Sequence, residues 1–179
     1  IVRSDPAWAD ALTCLAMFGR TTDVGLFREV LHGPYRELGL DPVTILGCAE
    51  LVPDLLDLLD VTGLSPEVLL QAKRALTVIS GEAFDEAATS AEARGLWLRV
   101  RSRLEPGRRY RNGRLLTLEA QLQSLRGDYG SREGRENLYL DMMAATEARV
   151  PPFSAYDFVG TQLEELRHIE HWLAKRAGQ

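Results

Sequence analysis

The chain has 179 residues, of which 45% are hydrophobic and 26% charged, with a net charge of −5; these values exclude a disordered, collagen-like or disulfide-dense class and leave an ordinary folded protein. No apolar run approaches the roughly 20 residues of a membrane-spanning helix, and residues 1–20 lack the charged start and cleavage pattern of a signal peptide, so no membrane partner and a cytoplasmic address are expected. The charge is uneven: residues 1–90 hold 14 acids and 6 bases, whereas residues 91–179 hold 12 acids and 15 bases, which divides the chain into an acidic half and a basic half.

From the N-terminus, the first signal is an internal repeat. With an offset of 28, LAMFGRTTDVGLFREVL (15–31) lies over VTILGCAELVPDLLDLL (43–59). This alignment pairs Gly19 with Gly47, Val24 with Val52, Phe27 with Leu55, Val30 with Leu58 and Leu31 with Leu59. Each copy reads as an apolar helix stopped by a glycine, a short turn, and a second amphipathic helix. SPEVLLQAKRALTVISG (65–81) reads as the first helix of a third copy. Ser65 is its cap, Pro66 its first residue, Leu69, Ala72, Leu76 and Ile79 its apolar stripe, and Gly81 its stop. Stacked pairs of this kind bury one another's faces as a solenoid; the alternative is an ordinary helical bundle. Cys14 and Cys48 are too few for a disulfide framework and sit in apolar settings, so both are expected as buried small hydrophobes.

LWLRVRSRL (96–104) alternates briefly, but a helix over about 90–104 is favoured. EPGRRYRNGRLLT (105–117) reads as a loop and as the clearest boundary in the chain. Thr117 then caps a helix carrying Leu118, Leu122 and Leu125. Ser131 opens another helix, with Leu138, Met142 and Ala145 on one face. PPFSAYDF (151–158) breaks the chain before a closing helix with Leu163, Leu166, Ile169 and Leu173 in register.

Three constellations could carry chemistry. Glu29-x-x-His32 and Glu165-x-x-His168 match the spacing of helical di-metal carboxylate sites, yet His32 stands before Gly33-Pro34 at a helix end, and no second pair of inward glutamates accompanies them. His168 and His171, with Glu164, offer two ligands and a third of uncertain placement. Seven arginines (Arg99, Arg101, Arg103, Arg108, Arg109, Arg111 and Arg114) fall between 99 and 114 with one acid, Glu105. Such a cluster fits phosphate or nucleic acid, with Tyr110 to stack on a base; it fits equally a protein contact or an internal brace. Neither a G-x-S-x-G nucleophile nor a phosphate-binding glycine loop is visible.

The A-L-x-x-L-A-x-x-G of 11–19, the V-P-x-L-L-D-L-L of 52–59, LTVISGEAFDE (76–86) and above all PGRRY-x-x-G-x-x-LT (106–117) together resemble the C-terminal part of a bacterial family of HEAT-like repeat proteins, often encoded in type VI secretion gene clusters. The resemblance implies a helical-repeat fold and a neighbourhood in secretion, with no enzymatic role. Family chains carry further repeats upstream, and a first residue of Ile rather than Met agrees with a segment of a longer protein.

The expectation is therefore an all-α chain, with HEAT-like repeats over 1–90 continuing into a helical portion over 91–179. It would act as a non-catalytic protein-binding scaffold with no cofactor, metal or catalytic residue. Its partner would be another protein, such as a secretion component or effector, or a second copy of itself, and Arg108, Arg109, Tyr110, Arg111 and Arg114 would make the contact. The alternatives are a metal-dependent helical enzyme using Glu29, His32, Glu165 and His168, and a nucleic-acid binder using the 99–114 arginines.

Overall fold

The computed structural model describes residues 6–18, 20–127, 132–146, 149–157 and 159–177. Among them the regular structure is helical, mostly α with four short 3-10 turns, apart from one two-stranded ribbon, so the chain is all-α as expected. Gly19 and Ser131, read as a helix stop and a helix start, lie outside the described residues. Contacts divide the chain into two compact units, residues 1–115 and 116–179.

In the first unit the helices are α1 (Pro6–Phe18), α2 (Val24–His32), α3 (Glu37–Leu46), α4 (Val52–Leu58), α5 (Pro66–Ser80) and α6 (Ser90–Val100). Local chemistry sets their ends. Ser65 Oγ accepts the Val68 amide at 3.3 Å with Pro66 in the first turn, which satisfies one of the donors every helix start leaves open. Gly47 closes α3 with φ 67° and Gly81 closes α5 with φ 76°, a left-handed conformation that favours glycine. Thr89 Oγ1 accepts the Glu92 amide at 3.2 Å to begin α6, which yields to a 3-10 turn at Arg101–Arg103.

The helices pack in two series. α1 lies on α3 and α3 on α5; α2 lies on α4 and α4 on α6; α2–α3 and α4–α5 join the series. The repeat positions fall inside this packing. Val24, Phe27, Val30 and Leu31 of α2, and Val52, Leu55 and Leu58 of α4, are buried in one apolar cluster, with Leu59 half-buried just beyond α4. In α5, Ala72, Leu76 and Ile79 are buried as the stripe predicts, together with Val68 and Ala75, while Leu69 is half-buried.

The unit boundary falls at Leu115, not between 90 and 91, because α6 packs on α4 and the ribbon strand at Tyr110–Arg111 packs on α5. The segment 105–117 is also not wholly a loop. Strands β1 (Tyr110–Arg111) and β2 (Arg114–Leu115) pair antiparallel, with Tyr110 opposite Leu115 and Arg111 opposite Arg114. Asn112 and Gly113 turn the chain with φ of 52° and 69°, the double left-handed geometry of a two-residue hairpin. Cys14 is exposed, against expectation. α1 meets its neighbours through Leu12 and Ala16, both buried, and a residue two places from each points the other way on a helix.

The second unit holds α7 (Leu118–Arg126), α8 (Arg132–Ala145) and α9 (Val159–Ala177), with α7 packed on both α8 and α9. Thr117 Oγ1 accepts the Ala120 amide at 3.1 Å, capping α7 as predicted. The core joins Leu122 and Leu125 to Tyr139 and Met142, to Val150, Phe153 and Ala155 of the helix-free segment, and to Leu166, Ile169 and Leu173. Two predicted apolar positions are not in it. Leu163 is 51% exposed while Gln162 is buried, because the inward stripe of α9 runs 162, 166, 169, 173. The Gln162 amide donates to Ala155 O at 3.0 Å and Asp157 O at 2.7 Å, so it satisfies carbonyls that a leucine would strand. Ala145 is exposed because α8 turns Tyr139, Met142 and Thr146 inward instead. No helix among the described residues is long and apolar enough to cross a membrane.

Candidate binding surface around the arginine hairpin

Helices end with carbonyl oxygens that have no partner within the helix, and their dipoles make those ends negative. Three such ends meet the hairpin. The Arg109 guanidinium donates to Leu46 O (2.8 Å) and Ile45 O (3.2 Å) at the end of α3, and to Ala16 O (3.2 Å) and Met17 O (3.4 Å) at the end of α1. Arg111 Nη2 donates to Ile45 O at 3.2 Å. The turn itself serves α5, where the Asn112 amide donates to Val78 O (2.5 Å) and the Gly113 amide to Ile79 O (3.2 Å). α1, α3 and α5 therefore run in one sense, with their C-terminal ends gathered under one short ribbon.

The approach is close enough to dictate residue type. A Cβ at Gly47 would lie 2.3 Å from Tyr110 O, and one at Gly81 would lie 2.6 Å from Asn112 O. Glycine at these two helix ends thus serves both the left-handed turn and the docking of the hairpin. The Tyr110 amide donates to Gly47 O at 2.7 Å, and the Tyr110 hydroxyl accepts the Glu105 amide at 2.7 Å. Beside this contact Cys48 is fully buried. Burial first, and then the charge of Glu50, push its thiol up to about 11 against the opposing pull of Arg109, which makes Cys48 an inert core residue.

Of the five residues expected to bind a partner, Tyr110 is buried, and Arg109 and Arg111 are half-buried with their guanidinium groups turned onto helix ends. They brace the fold. Arg108 and Arg114 remain exposed, and Leu115, 41% exposed, stands next to Arg114. Arg108 makes one loose ion pair, 3.9 Å to Glu105. Elsewhere in the cluster, Arg103 is paired with Glu82 at 2.5 Å, while Arg99 and Arg101 are exposed.

Of the four residues of the metal alternative, His32 and Glu165 are engaged elsewhere, and Glu29 and His168 are exposed. His32 Nε2 lies 2.8 Å from Asp54 Oδ1, and Arg28 Nε lies 3.1 Å from Asp54 Oδ2. Asp54 is buried, so two cationic or hydrogen-bonding partners from α2 compensate a carboxylate removed from water on α4. Glu165 accepts the Ser154 amide at 3.1 Å and Glu136 accepts the Ala155 amide at 3.3 Å; both carboxylates hold the helix-free segment. Glu29, His168, His171 and Glu164 are exposed. Among the described residues no three His, Cys, Asp or Glu side chains converge as a metal would require.

The residue missed by spacing alone is Asp54, the meeting point of Arg28 and His32. Arg94 plays the reciprocal part from α6, reaching Asp57 at 2.9 Å and Asp60 at 2.7 Å. Acids of α4 thus face bases of both neighbouring helices. Compared with protein-family models, curated proteins and solved structures, the chain finds no match, so its function is read from this geometry and from the sequence resemblance.

Proposed function

We propose that the protein is a non-catalytic, HEAT-like helical-repeat scaffold that binds another protein, acting in the cytoplasm as an accessory or adaptor factor of a type VI secretion system, as the resemblance implies. The observation that carries the reading is the gathering of the C-terminal ends of α1, α3 and α5 beneath one hairpin by Arg109 and the hairpin backbone. Parallel first helices, each followed by a second helix in a separate series, are what stacked helical pairs produce. The chain at the ribbon leaves Arg108, Arg114 and Leu115 exposed, two guanidinium groups suited to carboxylates and an apolar side chain close to them in sequence.

This division of labour also argues against nucleic acid, because Arg103, Arg109 and Arg111 direct their donors to protein oxygens rather than outward. The deciding experiment is cross-linking and mass spectrometry from the native cell, with the wild type against an Arg108→Glu, Arg114→Glu double variant. One protein partner should be recovered with the wild type and lost with the variant, whose thermal midpoint should be unchanged. Near-integer transition metal removed by His168→Ala, or tight sequence-selective oligonucleotide binding that persists at moderate salt, would overturn the reading.

A further inference from the structure

The ribbon has two edges, and they are not equally occupied. The outer edge of β1 is closed, because the Tyr110 amide donates to Gly47 O at 2.7 Å and Arg109 bridges Cys48 in antiparallel register. In an antiparallel pair, residues that exchange hydrogen bonds alternate with residues whose backbone groups point away from each other. Tyr110 spends its amide on Gly47, so it is of the second kind, and so is Leu115 opposite it. The Leu115 amide and carbonyl therefore point away from β1, across the outer edge of β2. Among the described residues neither group has a hydrogen-bond partner, and Leu115 is 41% exposed.

Two further observations bear on what this edge takes. The ribbon is fixed before anything binds, since the Arg109 guanidinium holds it to the ends of α1 and α3 and the Asn112 and Gly113 amides hold it to α5. The entropy cost of ordering a template strand is thus already met by the fold. Arg114, the other residue of β2, is exposed and makes no ion pair among the described residues. The one acid of the 99–114 cluster, Glu105, is loosely paired with Arg108 instead.

We propose that an acidic, extended segment of the partner protein adds to β2 as a third strand, with one of its residues exchanging both backbone hydrogen bonds with Leu115 and a carboxylate on the next residue pairing with Arg114. In strand addition the main chain holds and the side chains select. An open edge invites any strand, and the guanidinium directly opposite favours one that carries carboxylates. The edge is two residues long, so it supplies one pair of backbone bonds, and Arg114 supplies the selection. The proposal rests on the protein-binding reading and names how the partner is recognised at that same surface.

The test uses the full chain and a fluorescein-labelled octapeptide alternating glutamate with valine, followed by anisotropy. Leu115→Pro removes the outward amide alone, because that N–H takes no part in the ribbon's own pairing and proline is tolerated on an edge strand whose amide faces out. It should weaken binding about fivefold or more, the loss of one hydrogen bond, while circular dichroism and thermal midpoint hold; Leu115→Val, which keeps the amide, should bind as the wild type does. Arg114→Glu should weaken binding by at least as much. The same contact is read without altering the protein by N-methylating the valines, since such a peptide cannot donate to Leu115 O and should not bind. Equal binding of the methylated and unmethylated peptides, or no binding of either, would overturn strand addition. A wild-type dimer that Leu115→Pro turns into a monomer would give the edge to a second copy and overturn it too. If the peptide fails while a cross-linked partner still depends on Arg108 and Arg114, only strand addition is lost; if the peptide binds as expected while no partner is recovered from the cell, the scaffold reading is what falls.

Discussion

The two units solve the same problem, helices with an apolar side and open ends, by different means. In residues 1–115 a large buried cluster runs from Leu12 to Tyr110, and the polar groups of one hairpin tie together helix ends distant in sequence. In residues 116–179 the buried cluster joins three helices and a helix-free segment, and the polar ties run from Glu136, Glu165 and Gln162 to that segment's backbone. The first unit's ties lock the ends of α1, α3 and α5 to one another. The second unit's ties compensate for chain that is not helical, and with roughly sixty residues it has little apolar surface to bury in reserve.

The largest effect that could break this contrast is a core truncation in each unit. Phe27→Ala should cost the first unit about 3–5 kcal/mol and Ile169→Ala the second about 2–5 kcal/mol, since both side chains are fully buried. The consequences should differ. Ile169→Ala should leave α7–α9 largely unfolded at room temperature while amides of α3 and α5 keep their protection from hydrogen exchange, because a single small core supplies only about 3–5 kcal/mol in all. Loss of protection in both units together would show that they do not fold independently.

Next in size are the ties. Arg109→Ala removes donors from the ends of both α1 and α3 and should cost about 2–4 kcal/mol; Arg109→Lys should recover little of it, since one ammonium cannot reach what the planar fork reaches. Arg126, paired with Glu170 on the surface of the second unit, should cost under about 1 kcal/mol when replaced by alanine. Chemical denaturation of the two variants compares them directly, and equal losses would remove the special place given to the hairpin.

How much of this is legible in the sequence depends on whether the signal is local. Caps at Ser65 and Thr117 and stops at Gly47 and Gly81 can be read because each depends on a few adjacent residues. The paired apolar positions are legible because Phe27 and Leu55, and Val30 and Leu58, follow helical spacing and are buried in one cluster. Arg109 is visible as a charge but not as a brace, because its partners Ala16 and Leu46 are brought to it only by the fold. Asn112-Gly113 carries the hairpin signal, but two-residue strands leave no alternation to confirm it. Cys14 defeats the pattern because α1 is apolar on most of its circumference, so its sequence does not say which side is inside. Leu163 defeats it because a buried Gln162, satisfied by two carbonyls, takes the inward position one residue away.

A smaller effect separates the units at their glycines. Gly95 lies mid-helix in α6 and Gly160 in the first turn of α9, and neither has a neighbour within 4 Å of where an added methyl group would stand. Gly95→Ala should stabilise the first unit by about 0.5–1 kcal/mol. Gly160→Ala should gain less, since the first turn lacks the full set of helix hydrogen bonds. Thermal melts of both single variants measure the difference, and a destabilised Gly95→Ala would mean that the space beside Gly95 is filled in solution.

The smallest expected change concerns the surface pairs that link successive helices of the first unit. Hydrogen bonds from Arg94 and then Ser90 hold the Asp60 carboxyl below its ordinary value of 3.8. A carboxylate whose pKa is depressed by folding adds stability above its unfolded value and loses that contribution as pH falls through the folded one. Because Asp60 is exposed to solvent and screened by it, the contribution should be visible in titration rather than in stability. NMR titration of the Asp60 carboxyl should show its midpoint rising toward 3.8 in Arg94→Ala, with the thermal midpoint at neutral pH nearly unchanged. An Asp60 midpoint that does not respond would mean that the Arg94–Asp60 pair is not held in solution, and Asp60 would then count as solvated surface rather than as part of what aligns α6 with the end of α4.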